Sequence, residues 1–181
     1  MNSSKKIFII PGFLRPISFY EWSEGREIWG ADPDVLKRIE AEYVMGYSLG
    51  AIGALLNWQE NKNTKLILIN PLFPRRSVVE WIWRWLKFLA KEGAKPRQLV
   101  SVGRFLAGLK LAHSWLKVDA VSLLEQVPRE DVFIFRGSND NFFFDQSAAD
   151  FIRAKNFRII EVEGVAHDWD EKIKAEVEKY I

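Results

Sequence analysis

The sequence predicts a single α/β domain with a mostly parallel sheet of about six strands, flanked by helices on both faces. Short apolar runs of strand type alternate with segments of helical periodicity along the chain, and this alternation favours parallel strands joined by helical crossovers. The length of 181 residues, with 48% hydrophobic and 28% charged residues, suits one domain with a substantial core.

The elements follow one another in a regular order. The predicted strands, from the N-terminus on, are KKIFII, a weaker run at residues 26–30, AEYVM, KLILINPLF, DVFIFRG and FRIIEVEG. The predicted helices are residues 34–42, SLGAIGALLNWQENK, residues 76–126 with an interruption at 93–96, DQSAADFIRAK and DEKIKAEVEKYI. Pro and Gly after several runs mark their ends.

Composition excludes several classes of protein. The chain contains no cysteine, so it has neither disulfides nor thiolate chemistry. Its apolar runs are too short for a transmembrane helix or a signal-peptide core, and we expect a cytoplasmic protein. The formal net charge is only +2, which, with no recognised module, argues against nucleic-acid binding.

Polar residues follow four of the predicted strands. The first strand ends in Pro11-Gly12-Phe13, AEYVM ends in GYSLG, DVFIF ends in RGSNDN, and FRIIEVE ends in GVAHDW. Because the carboxyl ends of parallel strands meet at one edge of a sheet, Ser48, Asp140 and His167 should converge there. A serine, an acid and a histidine are the groups that nucleophilic catalysis requires.

The GYSLG segment matches the pattern G-x-S-x-G between a strand and a helix. In that setting Ser48 occupies a strained turn, and Gly46 and Gly50 leave room where side chains would collide. The amino end of the following helix stabilises negative charge near the serine. We expect Gly53 to let this helix pack closely on the sheet.

With the order Ser, Asp, His, the chain resembles the α/β-hydrolase family from Lys6 to its C-terminal helix. The resemblance implies that Ser48 attacks an acyl carbon, His167 transfers the proton and Asp140 orients the imidazole. It also implies an oxyanion hole from the backbone N–H groups of Phe13 and Leu49, with neither a metal nor an organic cofactor. Two departures are a Pro-Gly where the family often has His-Gly, and the absence of the family's usual first two strands.

The other candidates for the acid and the base have simpler interpretations. Asp145 could be the acid, but it could instead cap the following helix. His113 lies among helical residues and is expected to be structural.

Several other polar residues near the strand ends also have simple interpretations. Asp168 and Asp170 suit the start of the closing helix, and Asn139 and Asn141 suit a turn. Arg15 and Tyr20 could line the mouth of the site, but are expected to be ordinary surface or packing residues.

A basic, tryptophan-rich segment follows KLILINPLF. Residues 75–117 hold ten Lys and Arg against two acids, and four of the eight tryptophans. In the family, an insertion at this place forms a helical cap, so we expect residues 75–126 to be a cap and residues 1–74 and 127–181 the core. Helical spacing puts Val78, Ile82, Trp85 and Leu89 on one face.

Four interpretations of this cap stay open. It could simply pack on the body, or line a pocket for an apolar acyl chain, with Trp81 and Trp85 binding the substrate. Its cations could instead dock an anionic membrane surface or an acidic acyl carrier protein. The last interpretation follows a loose resemblance to pimeloyl-carrier methyl ester esterases, and assigns docking to Arg84, Lys87 and Lys91.

The function expected from these patterns is hydrolysis of carboxylic esters, on a small-molecule or acyl-chain substrate. Thioesters and lactones suit the same three residues, and a haloperoxidase-like or lyase reaction would share them. The alternative of another class is a non-catalytic binding protein that uses the basic cap as its interface.

Overall fold

The computed structural model describes residues 7–13, 15–20, 36, 39–73, 76–92 and 102–181. Their strands are β1 (Ile7–Ile10), β2 (Tyr43–Tyr47), β3 (Lys65–Ile69), β4 (Val132–Gly137) and β5 (Ile159–Val162). Their helices are α1 (Gly50–Glu60), α2 (Val78–Glu92), α3 (Val102–Trp115), α4 (Ala120–Gln126), α5 (Gln146–Arg153) and α6 (Glu171–Val177). Short 3-10 helices cover Ile17–Phe19 and Arg129–Asp131.

The five strands form one parallel sheet in the order β1-β2-β3-β4-β5. This confirms the predicted α/β class and parallel topology, with five strands among the described residues rather than about six. The predicted strand at 26–30 lies outside the described residues, as does most of the predicted helix at 34–42. Because all five strands are parallel, their carboxyl ends lie on the same edge of the sheet.

Both faces of the sheet are buried, because alternate side chains of each strand enter different clusters. Val44, Leu66 and Leu68 pack on one side, together with residues of α1, α4 and α5. Met45 and Ile67 pack on the other side, together with residues of α6. Covering both faces makes the sheet a rigid support for residues at its edge.

The α-helices α2 and α4, among the described residues between β3 and β4, pack in different places. α2 packs across the carboxyl edge of the sheet, where Trp81 stacks on Phe143 with ring centroids 6.1 Å apart. α4 packs instead against α1, and its Leu124 is fully buried in the main core. The boundaries of the cap at 75 and 126 stay a prediction.

The buried face of α2 differs from the predicted one. Of the predicted face, Trp85 and Leu89 are half-buried against the core, whereas Ile82 is 53% exposed. Trp81 and Phe88, which were expected partly off that face, are buried. The helix is apolar around most of its circumference, so its periodicity alone could not select the face that packs.

Candidate active site

Ser48 lies on a sharp turn between β2 and α1. Its φ of 53° is in the left-handed region, which is costly for a residue with a side chain. The turn is held by a hydrogen bond from the Ser48 N–H to the carbonyl of Ile69, 2.8 Å long. α1 begins two residues later, so its positive end lies next to the serine.

The two glycines of the G-x-S-x-G pattern permit close backbone approach. A Cβ on Gly46 would lie 2.5 Å from the Ala51 Cα, and a Cβ on Gly50 would lie 2.2 Å from the Ile10 carbonyl oxygen. A Cβ on Gly53 would lie 2.6 Å from the Trp115 ring and 3.1 Å from the Ile10 side chain. Gly53 therefore makes room for α3 as well as for the sheet.

The structure brings Ser48, His167 and Asp140 together in hydrogen-bonding order. Ser48 Oγ lies 2.9 Å from His167 Nε2, and His167 Nδ1 lies 2.6 Å from Asp140 Oδ2. All three side chains are buried. In this arrangement the carboxylate orients the imidazole, and the imidazole can accept the serine proton.

The Asp140 carboxylate is held by the loop that follows it. Its Oδ1 accepts hydrogen bonds from the N–H groups of Phe142 and Phe143, and its Oδ2 accepts one from Phe144. Burial raises the pKa of Asp140, but His167 and these N–H donors outweigh burial and hold the pKa below its ordinary value. The residue is therefore an anion at neutral pH.

Asn70 positions the His167 loop, a role that was not predicted from the sequence. It follows β3 with a φ of 43° and is fully buried. Its Nδ2 donates to the carbonyls of Ala166 and His167 at 3.2 and 3.0 Å, and its Oδ1 accepts from Gly137 N–H at 2.8 Å. The Tyr47 hydroxyl also donates to the His167 carbonyl. The only available signal was a polar residue at the end of a buried strand.

The predicted oxyanion residues, Phe13 and Leu49, both line the cavity that contains Ser48. Leu49 directly precedes the first residue of α1. Gly12 donates its N–H to the Tyr20 hydroxyl at 2.9 Å, which fixes the turn after β1. Tyr20 was expected to be an ordinary packing residue, and this bond gives it a structural role beside the site.

A cavity of about 470 Å³ opens onto Ser48 and His167. Its wall is apolar over most of its area, and α2 and α3 supply much of that wall. The α2 residues are Trp81, Ile82, Trp85, Leu86, Phe88 and Leu89. The two tryptophans predicted to bind substrate are therefore both in the wall.

Arg15, His113 and Asp168 also line this cavity, contrary to expectation. Arg15 is almost buried and pairs with Asp168 at 2.6 Å, so Arg15 is not an ordinary surface residue and Asp168 does not start a helix. His113 is exposed on α3 at the cavity wall rather than structural. Because Arg15 and Asp168 are 153 positions apart, sequence proximity could not reveal the pair.

Arginines of the α2 region bind the loop that holds Asp140. Arg76 and Arg84 donate to the carbonyls of Phe143 and Phe142, respectively, and both pair with Asp145. Burial raises the pKa of Asp145, but hydrogen bonds from Ser147 and Ala148 and the arginines lower it to about 2. Arg84, which was expected to dock a partner, therefore binds Asp145 and the Phe142 carbonyl within the protein.

The remaining acids and amides occupy the structural positions predicted for them. Asp145 caps α5 by accepting from Ala148 N–H at 3.0 Å, and Asp170 caps α6 by accepting from Lys172 N–H at 2.8 Å. Asn141 donates to the Asn139 carbonyl within the turn after β4. Within the described residues, no group of three His, Cys, Asp or Glu side chains could hold a metal ion.

Solved structures with the same architecture include hydrolytic enzymes. A carboxylesterase structure from Nitrososphaera gargenis matches with a TM-score of 0.63 and 14% identity, over 98% of this chain and 90% of that one. The N-formylmaleamic acid deformylase of Pseudomonas putida matches with a TM-score of 0.61 and 16% identity, over 96% and 91%. An alpha/beta hydrolase enzyme from lagoon sediment metagenome matches with a TM-score of 0.60 and 16% identity, over 96% and 89%.

No protein-family model and no curated protein matches the sequence. The structural similarity extends over nearly the whole chain, and the similar solved structures share one architecture. The protein therefore has the α/β-hydrolase fold, as the resemblance implied. No helix among the described residues is long and apolar enough to cross a membrane.

Proposed function

We propose that this protein is a serine hydrolase that cleaves carboxylic esters through an acyl-enzyme intermediate. The observation that carries the proposal is the continuous hydrogen-bonded series from Ser48 through His167 to Asp140, opening onto an apolar cavity. The fold supports it, because chemistry in open parallel sheets collects at the carboxyl edge where these residues lie.

In the first half-reaction, Ser48 Oγ attacks the ester carbonyl carbon while His167 Nε2 takes the serine proton. The carbonyl oxygen becomes an anion, which the N–H groups of Leu49 and Phe13 and the positive end of α1 stabilise. The intermediate then collapses, the bond to the alcohol oxygen breaks, and His167 returns the proton to the departing alcohol.

In the second half-reaction, a water molecule replaces the alcohol. His167 takes a proton from this water, the resulting hydroxide attacks the acyl carbon, and Ser48 leaves with the proton from His167. Asp140 stays ionised throughout and stabilises the imidazolium that forms twice in each turnover. The products are one carboxylic acid and one alcohol, and the enzyme returns to its starting state.

The cavity wall favours an apolar acyl group. Trp81 and Trp85 form part of this wall, and Trp85 contacts Phe13 edge-on with ring centroids 6.4 Å apart. Burying apolar area on this wall stabilises a substrate by about 25 cal/mol per Å². A thioester or lactone would undergo the same attack by Ser48, so these substrates are the second candidates.

An acyl-carrier-protein substrate has weaker support than a small ester. Of the three residues assigned to docking, Arg84 is paired with Glu80 and Asp145, whereas Lys87 and Lys91 are exposed. Charge reversal of the two lysines should weaken turnover of a carrier-bound ester and spare a small ester if docking occurs. Equal loss on both substrates would contradict carrier docking.

The test is a series of p-nitrophenyl esters from acetate to decanoate. We expect Ser48→Ala to lower kcat/KM by a factor of about 10⁴ or more on every ester. Trp85→Ala should lower kcat/KM about tenfold on the longer esters, because it removes apolar wall. The matched control is Trp83→Ala, since Trp83 is on the same helix but outside the cavity wall. Undiminished hydrolysis by Ser48→Ala would refute the proposal.

A further inference from the structure

The outer side of α2 carries a second apolar stripe, which is exposed rather than buried in the core. Val79, Ile82, Trp83 and Leu86 are 78%, 53%, 58% and 48% exposed. Their spacing of three, four and seven residues places them on one face of the helix. We call these four residues the outer stripe.

The outer stripe is separate from the face that holds α2 in place. Trp81 and Phe88 anchor the helix through Phe143 and Phe142, and they lie on the side opposite to the stripe. The contacts of α2 with the described core and the lining of the cavity therefore do not account for apolar residues at Val79 and Trp83. Contiguous apolar surface of this kind in a folded protein marks a binding surface.

The stripe is continuous with the cavity and with α3. Ile82 and Leu86 belong both to the outer stripe and to the cavity wall, and exposed Leu109 of α3 is also in that wall. Leu106, one turn earlier on α3, is 68% exposed. The apolar surface thus surrounds one side of the entrance to Ser48.

Three described lysines lie near this surface. Lys87 Nζ lies over the Trp83 ring at 5.1 Å, and Lys91, one turn later on α2, has its Nζ over the Phe142 ring at 5.8 Å. Lys110 follows Leu109 on α3, and all three lysines are exposed. Within the described part of the chain, none of them is within ion-pair distance of an acid, whereas Arg76 and Arg84 both bind Asp145. The available cations are therefore ammonium groups next to apolar side chains.

We propose that the outer stripe and these three lysines form a docking surface for an anionic lipid bilayer. An apolar helix face bordered by lysines binds in the plane of a membrane interface, with the apolar groups among the acyl chains and the cations at the headgroups. Tryptophan is favoured at that depth. Docking this way places the cavity entrance against the lipid and does not require Ser48 to react.

The chemistry fits a lipid surface better than an acidic protein. A protein partner that offers carboxylates in fixed positions is recognised best by arginine, which forms paired hydrogen bonds. Here Arg76 and Arg84 are paired with Asp145, whereas the described lysines Lys87, Lys91 and Lys110 are exposed and act as point charges. A diffuse layer of anionic headgroups needs no fixed geometry from those charges.

The experiment is flotation of the Ser48→Ala protein with vesicles, so that binding is measured apart from turnover. One set contains phosphatidylcholine with about one third phosphatidylglycerol, and the other contains phosphatidylcholine alone. We expect binding to the anionic set only, weakening as salt rises. Lys87→Glu/Lys91→Glu should reduce partitioning of the protein onto anionic vesicles by about 30-fold or more, because each lysine removed lowers binding by about fivefold. Val79→Ser/Trp83→Ser should reduce it about tenfold or more.

Matched controls change similar residues elsewhere. Phe151→Ser removes a 41%-exposed aromatic side chain from α5, and Lys62→Glu/Lys172→Glu reverses two exposed lysines outside α2. Both should keep vesicle binding, and all of these variants should keep hydrolysis of soluble p-nitrophenyl acetate when made with Ser48 intact.

Three results would overturn the proposal. The first is no flotation of the parent protein with anionic vesicles. The second is equal loss of binding in the controls. The third is a dimer in light scattering that the stripe variant converts to monomer while vesicle binding is unchanged, because the stripe would then be covered by a second copy of the chain.

Discussion

Replacing Asn70 by alanine tests how the His167 loop is positioned. The substitution removes one acceptor, for Gly137 N–H, and two donors, to the carbonyls of Ala166 and His167. Each buried group left without a partner costs about 1–3 kcal/mol, and alanine at a φ of 43° adds about 1 kcal/mol. The His167 carbonyl keeps the Tyr47 hydroxyl, so we expect a total loss of about 4 kcal/mol, or a Tm lower by about 10 °C.

The assay combines thermal denaturation with ester kinetics well below the Tm. We expect kcat to fall about 10- to 100-fold with little change in KM, because His167 loses its tether while the cavity wall is intact. The matched control is Asn57→Ala, which removes another fully buried amide that donates to the carbonyls of Leu36 and Ile39, away from Ser48. It should lower the Tm but keep kcat. If Asn70→Ala, when folded, kept the same kcat as Asn57→Ala, a positioning role for Asn70 would be refuted.

Three other substitutions test separate parts of the structure. Asp140→Asn should lower kcat by about 10³ to 10⁴ with KM nearly unchanged, because an amide no longer selects the required imidazole tautomer; a small loss in steady-state kinetics would argue against Asp140 as the acid. Asp145→Asn should lower the free energy of unfolding, measured by urea denaturation at neutral pH, by about 1 kcal/mol once solvent screening is allowed for. Because the folded pKa of Asp145 is lowered to about 2, its contribution is complete above about pH 4 and disappears as pH falls through 2, so a pH-independent difference would contradict the ion-pair account. Gly50→Ala should destabilise by more than about 4 kcal/mol, because its Cβ would meet the Ile10 carbonyl at 2.2 Å; a Tm unchanged in calorimetry would show that the turn can relax.

The arrangement of Ser48, Asp140 and His167 could be predicted because it follows from topology. Parallel strands bring their ends to one edge, so residues far apart in the chain meet without any knowledge of side-chain contacts. The roles of Gly46 and Gly50 were predictable for a related reason. A strand that turns sharply into a helix brings backbone segments so close that no Cβ fits between them.

The supporting contacts could not be predicted, because each depends on loops that meet only in the folded chain. Asn70 binds a loop that is 96 positions away, and Arg15 binds Asp168, which is 153 positions away, at the cavity wall. The packed face of α2 was also ambiguous. The buried face of α2 and the outer stripe together form one broad apolar arc in the sequence. The face that is buried is the one that contacts Phe142 and Phe143, the aromatic residues after Asp140.

The central claim, that Ser48 is an activated nucleophile, is tested most directly by reaction with a fluorophosphonate followed by peptide mass mapping. The account predicts one adduct per chain, on the peptide containing Ser48. Labelling should be lost in Ser48→Ala and slowed by a factor of about 10³ or more in His167→Ala, because the serine then has no base. An adduct on another residue, or labelling of Ser48→Ala at the parent rate, would contradict the account.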